Sequence, residues 1–396
     1  MEICETSKCT GCGVCESVCA HSCISMKEDL YGELHPVVDE LKCVQCGICK
    51  KVCPNNAPPF FSYPRKCYAA WITDEEKRAK CASGGIATIM AEYVIKLGGV
   101  FFGTTYDTNF VPRVSYTEKI DDIEKFKGSK YAQSIMSNRI LAKVKEFLKN
   151  GRFVLFIGTP CQVAGLKNYL HKDYDNLIVV DLICHGVCPT KYFTDEVRYI
   201  FSKYKLTNIS DITFRGNDGH NYCLAFWKGN TRKDEIAYIK PRYEQPYFAG
   251  FVLGITLREN CYTCSYALPE RVGDVTIGDF LRLGKEKPFP YEVNQASVVL
   301  LNNSRGVSFY EKITKYCGNG LMNVERDYSE RLAYRPSLLE PFKRHPLTDS
   351  FRTAFVKRGY VYASRKIVPK AVRRVKIKKF ISKIVRIMKF PFMNIR

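Results

Sequence analysis

Two runs of cysteine constrain this chain more than any other feature. Cys9, Cys12, Cys15 and Cys19 follow the pattern Cys-x-x-Cys-x-x-Cys-x-x-x-Cys, and Cys43, Cys46, Cys49 and Cys53 repeat it, with Pro54 next. Three thiols on one tight loop suit three irons of a 4Fe–4S cubane, and the fourth of each run crosses to the other cluster. The spacing therefore assigns Cys9, Cys12, Cys15 and Cys53 to one cluster, and Cys43, Cys46, Cys49 and Cys19 to a second. Gly11, Gly13 and Gly47 let the backbone fold close around them. Zinc sites usually pair two Cys-x-x-Cys knuckles across a finger, a plan that two complete runs do not fit. Cys4 and Cys23 are surplus and read as buried thiols, with alternative ligation the competing reading. No role is assigned to Cys67 or Cys81.

The doubled run resembles the bacterial two-cluster ferredoxin signature, although the first run ends in Cys19-Ala20 where ferredoxins usually have Cys-Pro. A ferredoxin would stop near residue 58, so residues 1–58 are expected to form a 4Fe–4S domain. The chain has 396 residues, enough for two or three domains. It holds 19 cysteines, an odd number, and opens without a signal-peptide pattern. No apolar run is long enough to predict a membrane span. A reducing, cytoplasmic setting is expected, where clustered thiols are metal ligands rather than disulfides. Net charge is +21, but fifteen of those positive charges lie beyond Asp349, the last acidic residue, leaving six for the rest. The basicity belongs to a tail, which argues against nucleic acid as a partner of the whole surface.

The Pro- and Asn-rich stretch 54–64 reads as a linker. Beyond it, the pattern alternates. Residues 84–99 and 133–151 have helical periodicity and end at glycine, and 100–107, 152–160 and 176–186 read as strands. The segment "CQVAGLKNYL" reads as the helix between the last two. This is a βαβ arrangement with a largely parallel sheet. Short alternating runs from 208 to 240 read as antiparallel strands added to that core. The expected fold is α+β or α/β: a two-cluster domain at 1–58, a mixed-sheet α/β domain at 64–345, and a basic helical tail at 346–396.

Cys161 and Cys184 stand at strand ends, and Cys261 and Cys264 form a Cys-x-x-Cys turn. Ends of parallel strands meet on one edge, where ligands bind, so three segments can converge there. Core cysteines of no function are the competing reading. The segments "CASGGIATIM", "KGSKYAQS", "GTPCQVAGLK", "LICHGVCPTKYF", "ITFRG" and "LRENCYTCSYALPERVGDVTIGDF" together resemble the coenzyme F-420 hydrogenase/dehydrogenase beta-subunit family over roughly residues 65–285. The resemblance implies FAD and a 4Fe–4S cluster held by Cys161, Cys184, Cys261 and Cys264, three clusters in all. It extends the expected role to bacterial polysaccharide biosynthesis, among whose genes many relatives are encoded. Cys188, where relatives usually carry Pro or Ser, competes with Cys184 as a ligand, and Cys184 is preferred.

No Gly-x-Gly-x-x-Gly is present, so a nicotinamide site is unsupported. The candidate flavin contacts are Ser83, Gly84, Gly85 and Thr88 before a helix, and Lys130, Tyr131 and Ser134 in "KGSKYAQS". An ordinary helix cap and surface loop are the alternative. Arg215 is a guess at substrate contact, and His185 reads as a packed histidine. His21, His35, His171, His220 and His345 carry no motif. After Pro369, apolar positions at helical spacing face away from lysine and arginine, which predicts a basic amphipathic helix for an anionic membrane surface or an acidic partner, with RNA a third option and a solvated C-terminal helix packed on the core the competing reading. The resulting expectation is a flavin-dependent reductase that takes electrons from reduced ferredoxin or a similar donor and passes them to a small molecule or partner. The alternatives are an electron relay docked on a catalytic partner, and a zinc-stapled protein reading nucleic acid through its tail.

Overall fold

A computed structural model describes residues 1–216, 222–229 and 235–389. His220 and residues 390–396 of the tail lie outside the described residues. The described strands are β1 (Ile24–Glu28), β2 (Leu34–Val38), β3 (Lys66–Ile72), β4 (Val100–Tyr106), β5 (Pro112–Thr117), β6 (Val154–Gly158), β7 (Leu177–Leu182), β8 (Ile209–Thr213), β9 (Cys223–Lys228), β10 (Glu235–Pro241), β11 (Val275–Asp279), β12 (Ser297–Leu301) and β13 (Leu321–Arg326).

Eight of them form one mixed sheet in the order β13-β3-β12-β11-β7-β6-β4-β5. Its centre, β11, β7, β6 and β4, is parallel, and β5 and β12 flank it antiparallel. The central strands are buried along their length ("VLFIG" in β6, "SVVLL" in β12), because helices cover both faces. Alternation sorts the side chains. Leu155 and Ile157 pack with helices Ile86–Lys96 and Ser304–Cys317, while Val154 and Phe156 pack with helices Asn138–Lys149 and Pro160–Leu170. The expected helix at 133–151 begins only at Asn138, because Gln133 and Ile135 bond to the backbone of Cys188 and Pro112 instead.

Strands β8–β10 are antiparallel as expected, but they are not added to the main sheet. They form a separate three-stranded sheet. Their aromatic residues explain this. Phe226 packs on Phe201 of helix Thr190–Tyr204, and Phe214 on Tyr247 and Phe248 of helix Pro246–Val252. The basic C-terminal helix, Thr348–Lys389, joins this second core. It is interrupted at Gly359 (φ 77°). Tyr360, Ala363, Val368, Ala371 and Val372 are buried there. Beyond Val375 the helix leaves the core, with Ile377, Phe380 and Ile381 exposed. No helix among the described residues is long and apolar enough to cross a membrane.

The N-terminal segment folds as the β1–β2 hairpin between two short helices, Val14–Ser17 and Ile48–Lys51. Each helix starts from a glycine at positive φ, Gly13 and Gly47. Val14 and Val52 are buried in the same cluster as Val163 and Leu166 of a helix covering the eight-stranded sheet. This segment is therefore packed on the larger one rather than hung from the 54–64 stretch. That stretch itself bonds to Arg271 through Ser62 and packs Phe61 on Tyr266.

Candidate functional site

The C-terminal ends of the parallel strands build one edge. Strand β6 ends at Gly158, and the next helix opens with a capping box between Thr159 and Gln162 and with Pro160 in its first turn. Cys161 follows, with its sulfur 3.2 Å from Thr159 Oγ1. Cys184 lies two residues beyond β7 and accepts from the Gly186 amide at 3.4 Å. Gly186 has φ 115°, and a Cβ there would meet Leu257 at 2.9 Å and the Cys261 Cβ at 3.2 Å. Only glycine lets the Cys184 loop lie against helix Glu259–Tyr262, which carries Cys261.

The four sulfurs are electrostatic neighbours: Cys184 of Cys161 and Cys264, Cys261 of Cys264 and Cys184, and Cys264 of Cys161. Burial pushes the Cys184 thiol up to about 12 and Cys264 to about 11, and it raises Cys161 and Cys261 as well. Such a set becomes thiolate when metal charge is supplied, so its chemistry fits a cluster. Cys188 stands apart. Its sulfur is 3.2 Å from Thr256 Oγ1, and burial pushes it up to about 12 among Tyr192, Tyr247 and Tyr360. It is not among the charged neighbours of Cys161, Cys184, Cys261 or Cys264.

The N-terminal runs also bring thiols together. Cys15 has Cys12, Cys9 and Cys53 as neighbours, and Cys49 has Cys46 and Cys43. Each set carries a fifth thiol. Cys4 donates toward Cys9 and Cys53, lowering them to about 4 and about 7. Cys23 lies 3.3 Å from Cys19 and also neighbours Cys43. Among the described residues no three His, Cys, Asp or Glu lie close enough to share a single metal ion. A cubane takes one thiolate at each of four irons and so does not require that they share one.

The two regions meet at Cys12, which neighbours Cys161 electrostatically. Gly165 on the Cys161 helix makes the approach: its Cβ would meet Val14 at 2.9 Å and the Cys12 sulfur at 3.4 Å. Tyr266, buried, has Cys161, Cys12, Cys264 and Cys53 around it. Arg258, fully buried, ties the junction together. It donates to Cys9 O (3.0 Å), Leu34 O (3.2 Å), Gln133 Oε1 (2.9 Å) and Asn260 Oδ1 (3.1 Å). Nothing in the pattern around Arg258 distinguishes it from a surface arginine before a cysteine turn.

The candidate flavin contacts divide. Gly84 and Gly85 are filled positions rather than an open cradle. A Cβ on Gly84 would meet Ala70 O at 2.2 Å, and on Gly85 the Ile72 side chain at 2.4 Å. Thr88 is turned inward onto Cys81 (3.4 Å). Lys130 donates to the carbonyls of Lys125 and Lys127. Ser134 bonds to Thr104 and Gln162, near the start of the Cys161 helix. Ser83 and Tyr131 lie instead beside a charged group that the sequence did not single out. Asp279, at the end of β11, receives both arms of buried Arg215 (2.9 and 3.2 Å) and the Tyr222 hydroxyl (3.0 Å). Arg215 Nη1 also lies 3.3 Å from the Tyr131 hydroxyl, and its Nε is buried with no hydrogen-bond partner among the described residues. Burial alone would raise the Asp279 carboxyl, but Arg215 and the bonds from Arg215, Tyr222 and Ser83 hold it below its usual range. His185 is as expected for a packed histidine. Burial lowers it to about 4, and it bonds to Phe251 O at 3.1 Å between Phe251 and Phe342.

Comparison with known families fits this layout. Residues 67–142 match the N-terminal model of coenzyme F420 hydrogenase/dehydrogenase, beta subunit, and residues 151–318 match its C-terminal model. The chain belongs to that family. Residues 8–57 match a 4Fe-4S dicluster domain, so this member carries iron–sulfur electron transfer within an oxidoreductase-subunit family. Among solved structures, it is similar to a chain of the F420-reducing [NiFe] hydrogenase complex from Methanosarcina barkeri. Identity is 15%, TM-score 0.42, and the match covers 78% of this chain and 92% of that one. No curated protein matches it.

Proposed function

We propose that this chain is a flavin-dependent reductase fed by three 4Fe–4S clusters. Cys9, Cys12, Cys15 and Cys53 hold the first, Cys43, Cys46, Cys49 and Cys19 the second, and Cys161, Cys184, Cys261 and Cys264 the third. The observation that carries this reading is the convergence of the last four on the strand edge, with Cys12 of the first set alongside Cys161. Clusters handle electrons singly, and a bound FAD would accept them singly and deliver them in pairs. The partnerless Nε of Arg215, with Ser83 and Tyr131 beside the Arg215–Asp279 pair, fits a polar ligand on the same edge. Of the seven sequence candidates, these two are best disposed to touch a flavin. Reduced ferredoxin or a similar carrier is the electron donor, and a small molecule or partner protein is reduced.

Anaerobically purified protein should carry about twelve irons with equal sulfide, and Cys264→Ser should fall to about eight while keeping flavin. Cys188→Ser should keep all of its iron. Stoichiometric zinc without sulfide would end this reading. Full iron in Cys264→Ser would remove the third cluster from it.

A second element concerns the tail. Its exposed end, with Ile377, Phe380 and Ile381 among Arg373, Arg374, Lys376 and Lys378, suits peripheral contact with an anionic membrane surface.

A further inference from the structure

The two cysteine loops have the same spacing but opposite surroundings. Position by position, Cys9-Thr10-Gly11-Cys12-Gly13-Val14-Cys15 corresponds to Cys43-Val44-Gln45-Cys46-Gly47-Ile48-Cys49. The first loop is covered. Val14 is fully buried, Gly13 is so close to Met136 that a Cβ would meet its carbonyl at 2.7 Å, and Cys12 lies against Gly165. The second loop is bare. Cys46 is exposed, a Cβ on Gly47 would meet nothing within 4 Å, and Ile48 is exposed where Val14 is not. Val44 (59% exposed) and Leu41 (100% exposed) stand on the same loop.

Charge flanks these apolar side chains. Glu40 is engaged by the amino terminus and Asp39 by Lys42. Lys50 and Lys51 are exposed and, among the described residues, have no acidic partner. The face is thus an apolar patch around a solvent-reachable thiol, edged by uncompensated positive charge. Three apolar side chains on one short loop are what a protein surface shows where another protein docks.

We infer that the Leu41–Lys51 loop is the docking surface for a small acidic one-electron carrier protein. This deepens, and rests on, the reductase reading above. The complementary charge is that of Lys50 and Lys51, which steers the encounter, while Leu41, Val44 and Ile48 supply the desolvated contact. One electron leaves the carrier, which is oxidised, and enters the chain, which is reduced. No bond or proton changes hands. The covered loop, by contrast, is packed against the Cys161 helix, so intake and delivery fall to different loops of the N-terminal segment.

The test uses the full chain with its iron and an acidic two-cluster ferredoxin as probe. Titration calorimetry measures binding, and stopped-flow bleaching measures reduction by pre-reduced ferredoxin and, separately, by dithionite. Lys50→Glu/Lys51→Glu should weaken binding about tenfold or more and flatten its salt dependence. Val44→Glu should weaken it as well. Iron content and dithionite reduction should be unchanged in the lysine pair. Lys312→Glu/Lys315→Glu, the same charge reversal on helix Ser304–Cys317, should leave binding as in wild type. Wild-type affinity in both loop variants, or equal weakening by the Lys312/Lys315 pair, would overturn the inference. Either result in protein with about twelve irons leaves the reductase reading standing, whereas wild-type protein without iron–sulfur would remove that reading first.

Discussion

Replacing Arg258 by methionine should loosen the N-terminal segment from the eight-stranded sheet. The side chain keeps similar length, so the change is chiefly the loss of charge and donors. Two of its bonds cross the junction, to Cys9 O and Leu34 O. Hydrogen bonds from a charged group contribute about 1.5–3 kcal/mol each, so the pair accounts for about 3–6 kcal/mol. Glu33, 3.9 Å from Arg258, does not add a stranded charge, because Arg352 holds it at 2.5 Å. At 1.4 kcal/mol per decade, opening of the junction should become roughly 10²- to 10⁴-fold more frequent. Hydrogen exchange followed by mass spectrometry reads this directly. The Glu259 amide donates across the same junction to the Glu33 carboxylate at 3.0 Å and is the reporter, together with peptides covering residues 8–15. Exchange within threefold of wild type in those peptides would refute the assignment of Arg258 as the tie.

Two further outcomes are expected. Asp279→Asn should destabilise by about 2–4 kcal/mol, toward the low side for a buried pair because the Asp279 side chain is partly exposed. Since the folded carboxyl is held below its usual range, its contribution is complete above the unfolded value near 3.9 and is lost only as pH falls through the lower, folded value. The gap in melting temperature between wild type and Asp279→Asn should accordingly stay flat from about pH 8 to pH 5, and a gap that closes within that window would reverse the sign of the shift. Deleting residues 376–396 should leave fold and iron intact but abolish binding to anionic liposomes, because the buried contacts of the helix end at Val372. Liposome binding that survives the deletion would assign membrane contact to another surface.

Local signals carried the central strands and the two-cluster segment at the N-terminus. Runs such as "VLFIG" and "LIVVDL" are apolar on both faces because both are covered, and cysteine spacing is itself a record of cluster geometry. What failed was whatever depended on a distant partner. "SGGIAT" has the composition of a phosphate cradle, yet its glycines answer to the backbone of β3, 2.2 Å from where a Cβ would sit on Gly84. Strands β8–β10 alternated correctly, but alternation says nothing about which sheet receives them, and the aromatic side chains of two helices decided that. Asp279 and Arg215 lie 64 residues apart, and although Arg215 is a candidate substrate contact, nothing in its segment points to Asp279. Their pairing exists only once the end of β8, in the smaller sheet, is brought to the end of β11 in the larger one.

The same reasoning explains how a duplicated motif comes to have two roles. The spacing of the two cysteine runs is identical, so nothing internal to them assigns a direction. Direction comes from single-residue differences that only packing interprets. Val14 and Gly13 fit a surface prepared by Met136, Gly165 and Val163, while Ile48 and Gly47 meet solvent. Gly165 leaves room for Val14 against the Cys161 helix, and Arg258 is a cation whose several donors hold the Cys9 loop beside the helix bearing Cys261. A swap of the two loops would preserve every cysteine. It would put Ile48 where Val14 is buried, and an extra methylene forced into a close-packed core typically costs about 1–3 kcal/mol. The polarity of the chain therefore resides in the covering residues, and the cysteines supply only the sites.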